Sequence, residues 1–288
     1  MKKEEEDMKN RIWKRTLLSF LAAGVLGSSI GMGTCIRKPA VSAAQTEAVS
    51  LVTVTKEYQF SKNIKGTKPN GKKVKILEFK ARFPQTVSVD SNAAAEKKIT
   101  EQFSDQILEI KKTYKEYKKE AKDCFKEAPE AMGKNQGFYS LSYDYSEATR
   151  GEMYSVLSSM TCYMMGAHGG FMQRGYNFDL RTGESVSLNQ ILPFGTDAKL
   201  RKRLVTYIKQ KVTKEMGENI LYEDINWDDF FGENPVYEVE FTLIDGKITL
   251  MFNQYDIAPY AAGTIYIELD PAMEKYFTEY GKELLRNE

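Results

Sequence analysis

The chain of 288 residues has a single histidine, His168, so a Ser-His-Asp or Cys-His centre would have to be built on it. A histidine-based metal site would likewise have one imidazole. His168 stands in Gly166-Ala167-His168-Gly169-Gly170, the setting of a tight connection between two strands, and reads as a structural or ligand-contacting residue rather than a catalytic one. No Gly-x-Ser-x-Gly, His-Glu-x-x-His or Gly-x-x-x-x-Gly-Lys-Ser/Thr pattern occurs. Asp224-Ile225-Asn226-Trp227-Asp228 imitates the opening of a calcium loop, but Asp229 stands where the turn needs glycine and Pro235 where a bidentate glutamate belongs. An acidic helix start before Phe230-Phe231 accounts for it better, because carboxylates favour helix N-termini. Among 40 acidic residues, spacing singles out no glycosidase-like pair. The expectation is a protein with no catalytic residue, no metal and no cofactor.

Recognition has a clearer claim. The segment Phe252-Asn253-Gln254-Tyr255-Asp256-Ile257-Ala258-Pro259-Tyr260-Ala261-Ala262-Gly263 places Tyr255, Pro259 and Tyr260 in a loop fixed by proline and glycine. Large amphipathic side chains of this kind anchor interfaces. With His168 and Phe171 of the glycine-rich segment they form the expected set of ligand-binding residues. The competing reading is that Ile257-Ala258-Pro259 folds into the core and only stabilises a crossover. The lysines at 62, 65, 68, 72, 73 and 75 are read as a solvated sheet edge that discourages aggregation, although they would also suit an anionic polymer.

Elements to position these loops follow from hydrophobic spacing. Residues 49–60 and 72–87 are β-rich with partial alternation, joined by a Lys68-Pro69-Asn70-Gly71 turn. Ile99, Phe103, Ile107, Ile110, Tyr114, Tyr117, Ala121 and Phe125 recur every three or four residues, which predicts one long helix over 93–125. Three strands are expected at 138–148, 153–165 and 171–180, then a turn at 181–184, a short helical piece at 188–192, and a helix over 197–216 closed by Gly217. Asp245-Gly246 joins strands 237–243 and 247–252 as a hairpin. A strand over 264–269 and one terminal helix over 272–285, started by Pro271, complete the chain. Hairpins with helices collected between them predict an α+β fold, mainly an antiparallel sheet with one long helix and two or three shorter ones.

The first 43 residues read as a targeting segment: Met8-Lys9-Asn10-Arg11-Ile12-Trp13-Lys14-Arg15 is basic, residues 16–34 carry no charge, and Val41-Ser42-Ala43-Ala44 suits cleavage after Ala43. Its apolar stretch approaches the roughly 20 residues of a spanning helix, so an uncleaved anchor is the alternative; membrane contact is expected only through that segment. The remainder, 44–288, is expected to be one compact extracytoplasmic domain. Its near-neutral charge gives no footprint for nucleic acid. Of the three cysteines, Cys124 and Cys162 fall in the exported part, either as a disulfide or as two buried thiols.

The glycine-rich segment running into Tyr176-Asn177-Phe178-Asp179-Leu180-Arg181-Thr182-Gly183, together with residues 252–263, resembles the extracytoplasmic domain of RsiV-type anti-sigma factors. That domain is known as DUF3298, preceded by a DUF4163/PdaC-type part, and is also found beside peptidoglycan deacetylase domains. The resemblance covers roughly residues 50–285, with 50–150 as the PdaC-like part and 160–285 as the DUF3298-like part. It implies a secreted or cell-surface protein of a Gram-positive-type bacterium that binds a lysozyme-type protein or peptidoglycan. RsiV-type proteins carry a sigma-binding segment before the membrane helix, and the matching stretch is too short here for direct sigma-factor inhibition to be expected. An enzyme acting on wall glycan, and a membrane-anchored sensor, are the rival readings.

Overall fold

The computed structural model describes residues 52–133 and 137–286; the expected targeting segment, with Cys35 and its expected cleavage point, lies outside the described residues. Strands β1 (Val52–Thr67), β2 (Lys73–Val89), β3 (Tyr139–Arg150), β4 (Met153–Tyr163) and β5 (Gly170–Asp179) form a five-stranded sheet in that order. All neighbours are antiparallel except β2 and β3, which pair in parallel over Leu77–Ala81 and Tyr139–Tyr143. The long helix α1 (Ala93–Glu127) makes the crossover that this parallel pair requires. A three-stranded antiparallel sheet, β6 (Glu240–Ile244), β7 (Lys247–Phe252) and β8 (Ile265–Glu268), follows. It is accompanied by α2 (Leu188–Ile191), α3 (Ala198–Met216), α4 (Asp228–Phe231), α5 (Pro271–Glu274) and α6 (Glu279–Leu284). The fold is α+β, as the hairpin pattern predicts.

The apolar stripe of α1 seals the first core. Ala95, Ile99, Phe103, Ile107, Ile110, Tyr117 and Ala121 are buried against the sheet. Phe103 stands edge-on to both Phe83 and Phe178, at 5.6 and 5.5 Å between centroids, the arrangement ring quadrupoles favour. Asn92 starts the helix: its side-chain oxygen accepts from Ala95 N at 3.1 Å while its amide donates to Leu180 O at 2.9 Å. The cap therefore ties α1 to the end of β5 as well as satisfying a helix N–H. A second core gathers around β6–β8, with Leu200, Leu204, Ile208 and Val212 of α3 and Phe230 and Phe231 of α4.

Two elements depart from the sequence reading. β1 continues to Thr67, because Asn70 Oδ1 accepts from Lys72 N at 3.0 Å and Gly71 takes φ 80°, which closes the turn tightly enough for pairing to run to its base. Residues 61–67 belong to an edge strand in which Ile64 is the single large apolar side chain, so no apolar alternation marks them. The terminal helix is split. Thr278 N donates to Ile191 O at 2.8 Å and the Thr278 hydroxyl accepts from Gly281 N at 3.0 Å, so α6 begins on a new cap docked against α2. A third correction concerns the lysine run: Lys68 is only 8% exposed and its ammonium donates to Glu130 at 2.8 Å. Among the described residues no helix is long and apolar enough to cross a membrane.

Candidate functional site

The two segments singled out by sequence meet at one end of the molecule. The loop after β4 turns through Met165, at φ 65°, and Gly169, where a Cβ would lie 2.7 Å from Cys162 O. This places the exposed His168 ring on Tyr260, with centroids 3.9 Å apart and planes 29° from parallel. Tyr260 Oη donates to Gly169 O at 2.9 Å, and His168 Nδ1 lies 2.9 Å from the same carbonyl. Tyr255, 43% exposed and held at φ 70°, stands 5.9 Å from Tyr260. Pro259 is exposed at the start of a 3-10 turn that Gly263 ends at φ 69°. Ile257 and Ala258 are buried, so the loop does both things considered for it: its middle enters the core while Tyr255 and Pro259 face outward.

Phe171 lies just below this rim and is half-buried. Its N–H donates to Gln254 Oε1 at 3.1 Å, the first of a series of side-chain contacts along the outer edge of β5. Asn253 accepts from Gln173 N at 2.7 Å and donates to Gln173 O at 3.0 Å. Glu240 accepts from Gly175 N at 2.9 Å. The edge that would otherwise offer unpaired backbone groups is thus covered by side chains of the second sheet and the segment after it. Asn253 and Gln254 sit in the recognised motif, but nothing in their spacing announces this partner.

The stretch from Tyr176 to Gly183 is framework. Asn177, 5% exposed, bridges the two sheets: its amide donates to Phe241 O at 2.9 Å, and its side-chain oxygen accepts from Ser155 Oγ at 2.5 Å. Ser155 in turn accepts from Leu243 N at 3.1 Å and contacts Thr242 Oγ1 at 2.8 Å. Burial would raise the Asp179 carboxyl, yet Arg181, donating from Nε and Nη2 at 2.9 and 2.7 Å, holds it below its usual value. Gly183, at φ 71°, lies so close to Ala95 that a Cβ would stand 2.6 Å from its Cα.

Around His168 the geometry offers no triad: among the described residues its polar contact is the Gly169 carbonyl, and no group of three or more His, Cys, Asp or Glu is placed to hold a metal. Of the two states left open by the sequence for Cys124 and Cys162, the free thiols are the one found. Cys162 packs in the first core on the side of Tyr117, where burial raises its thiol pKa, and half-buried Cys124 adjoins Tyr139.

Sequence reasoning missed an ionic pair beside the rim strand. Arg174 Nε lies 3.6 Å from Glu240 Oε1, and the guanidinium covers the Tyr176 ring at 5.4 Å. Burial pushes the Glu240 carboxyl up to about 7, against the opposing pull of Arg174 and the Gly175 N–H. Between its ordinary value of 4.5 and about 7 the folded chain holds this proton more tightly than the unfolded chain. Stability contributed by Glu240 therefore falls as pH rises through that window and levels off above it. Thermal unfolding from pH 5 to 8 is expected to show this decline, and Glu240→Gln, which keeps an acceptor for Gly175, to lessen it, the remainder coming from Asp256, whose carboxyl burial also raises to about 7. One kcal/mol corresponds to about 2–4 °C for a domain of this size. An unchanged slope in the variant would refute the assignment.

Residues 194–270, which include the segment carrying Tyr255, Pro259 and Tyr260, match the model of a family described as a protein of unknown function, DUF3298. No curated protein matches the chain. Among solved structures, a member of the DUF3298 family from Bacteroides fragilis is 19% identical with a TM-score of 0.54, the match covering 80% of this chain and 95% of that one. A DUF3298 family protein from Pseudomonas aeruginosa is 14% identical with a TM-score of 0.50, covering 81% and 97% respectively. At such identities the likeness shows a shared fold.

Proposed function

We propose, from this DUF3298 region and the rim it helps to build, that the protein is a non-catalytic extracytoplasmic binding domain. Its ligand is a lysozyme-type or other cell-wall-associated protein, held by His168, Tyr255, Pro259 and Tyr260 with Phe171 beneath them. The observation that carries the reading is the stack of His168 on Tyr260, which joins two loops far apart in sequence into one exposed aromatic surface. Its backbone is held by glycine, by proline and by two non-glycine residues at positive φ, Met165 and Tyr255. A rim fixed before binding loses little conformational freedom on docking, and its tyrosines combine apolar area with a hydroxyl. The RsiV-like resemblance and the DUF4163/PdaC-type reading of the first half support a wall-associated role. Peptidoglycan is the remaining partner of that resemblance.

The test is calorimetric titration of the purified protein with a c-type lysozyme, with lysis of cell walls followed in parallel. Sub-micromolar binding that suppresses lysis is the expected result. The Tyr255→Ala/Tyr260→Ala double variant is expected to weaken it by about 2–4 kcal/mol, the effect of removing interface aromatics. Neither residue belongs to either core, so the variant should stay folded. No heat and unchanged lysis, or full binding by the double variant, would overturn the proposal.

A further inference from the structure

The face of the first sheet that packs on α1 is apolar along most of its area, with Leu141, Tyr143, Val156, Met160, Met172 and Phe178 buried there. One cross-strand row departs from this: Tyr145, Ser158 and Arg174 stand opposite one another on β3, β4 and β5. Ser158 is 8% exposed, and among the described residues its hydroxyl makes no side-chain hydrogen bond. That hydroxyl is not sealed in the interior and opens toward α1. Arg174 has five N–H donors, facing Glu240, Tyr176 and the charge of Glu238. Polar groups with spare capacity on a face built for packing need another partner.

Above that row runs a groove of about 790 Å³ between α1 and β5–β6, within the size range of ligand sites. One wall is a stripe of α1 that includes Asp105, Gln106, Glu109, Lys112, Thr113 and Glu116, residues three or four apart and so on one side of the helix. Lys112 pairs with Glu109 at 3.4 Å, while Asp105 and Glu116 have no ion-pair partner among the described residues and are exposed. The other wall brings Glu238 and Glu240. Leu108, 60% exposed, supplies apolar surface, while the Tyr176 ring is covered by Arg174 and Phe83 and its hydroxyl donates to Gln106 Oε1 at 2.7 Å.

We propose that this groove binds a short oligosaccharide bearing amino groups. Sugar hydroxyls both donate and accept, which suits a floor presenting a guanidinium beside a hydroxyl and a carboxylate. The apolar faces of the rings suit Leu108. Ammonium groups suit Asp105 and Glu116, since carboxylates outnumber cations along the groove. An anionic ligand meets repulsion at both walls, and a peptide carrying only cationic side chains meets Arg174 at the floor. The site is separate from the aromatic rim and does not depend on the function proposed for it.

The test titrates the intact protein at low salt with the tetramers of glucosamine, N-acetylglucosamine and maltose, and with tetralysine. Saturable binding of the glucosamine tetramer that weakens with added salt is expected. The acetylated tetramer should bind about tenfold more weakly, the scale of losing two exposed ion pairs. Asp105→Asn/Glu116→Gln, which alters only exposed helix residues, should cause a similar loss; Arg174→Gln should also weaken binding, and Tyr255→Ala/Tyr260→Ala should leave it unchanged. Absence of saturable heat, equal binding of the acetylated tetramer or of tetralysine, full binding by the α1 double variant, or loss confined to the tyrosine variant would each overturn the proposal.

Discussion

Replacing Gly175 by alanine is expected to destabilise the protein by more than about 4 kcal/mol, the range reached when a core site is overpacked against something that cannot yield. A Cβ at Gly175 would collide with the carbonyl oxygen of Phe241 and approach its carbonyl carbon to 2.8 Å. Those atoms are backbone. Phe241 is buried in β6, and its carbonyl is already fixed by the Asn177 amide, so relief requires the two sheets to part. Parting them would also break the bond from Gly175 N to Glu240. Urea denaturation of the variant beside Gly217→Ala makes the comparison sharp. Gly217 has φ 92° and ψ 170° with nothing within 4 Å of a new Cβ, so its substitution should cost only backbone strain, about 1–3 kcal/mol. Gly175→Ala within 1 kcal/mol of the parent would show that the sheets are not locked at this point.

Asn177→Ala is expected to cost about 3 kcal/mol. Two buried partners, the Phe241 carbonyl and the Ser155 hydroxyl, lose their bond at once, and each group left unsatisfied away from water costs about 1–3 kcal/mol. Ser155 would keep Leu243 N and Thr242, which limits the loss. A double-mutant cycle with Ser155→Ala should be non-additive, because both residues belong to one network. Additive losses would mean that the bridge through Ser155 contributes little and that Asn177 acts only by packing.

The sequence made the scaffold readable wherever one face of an element is buried. The stripe from Ile99 to Phe125 marked α1, and Asp245-Gly246 marked the β6–β7 hairpin at residues that take φ 50° and 72°. Residues 61–67 were illegible because an edge strand with little core contact has no alternation to show. The break between α5 and α6 was illegible because it depends on Ile191, far away in sequence. The rim was legible by residue type: His168, Phe171, Tyr255, Pro259 and Tyr260 were named from loop chemistry, and the fold brings them together. Arg174, Ser158 and Glu240 were not, since their meaning comes from the row they share and from the helix standing opposite. Asn253 and Gln254 lay within the motif, yet their task of closing β5 is visible only once the strand edge is seen.

That closure also constrains how the molecule is made. Gln173 leaves the ribosome 80 residues before Asn253, the side chain that occupies its N–H and C=O. Through that interval of synthesis the five strands can assemble, but β5 ends in an unpaired border able to recruit another extended chain. Nascent protein halted between Asp179 and Asn253 is therefore the species most prone to join a second copy until the last strands arrive to cover that border.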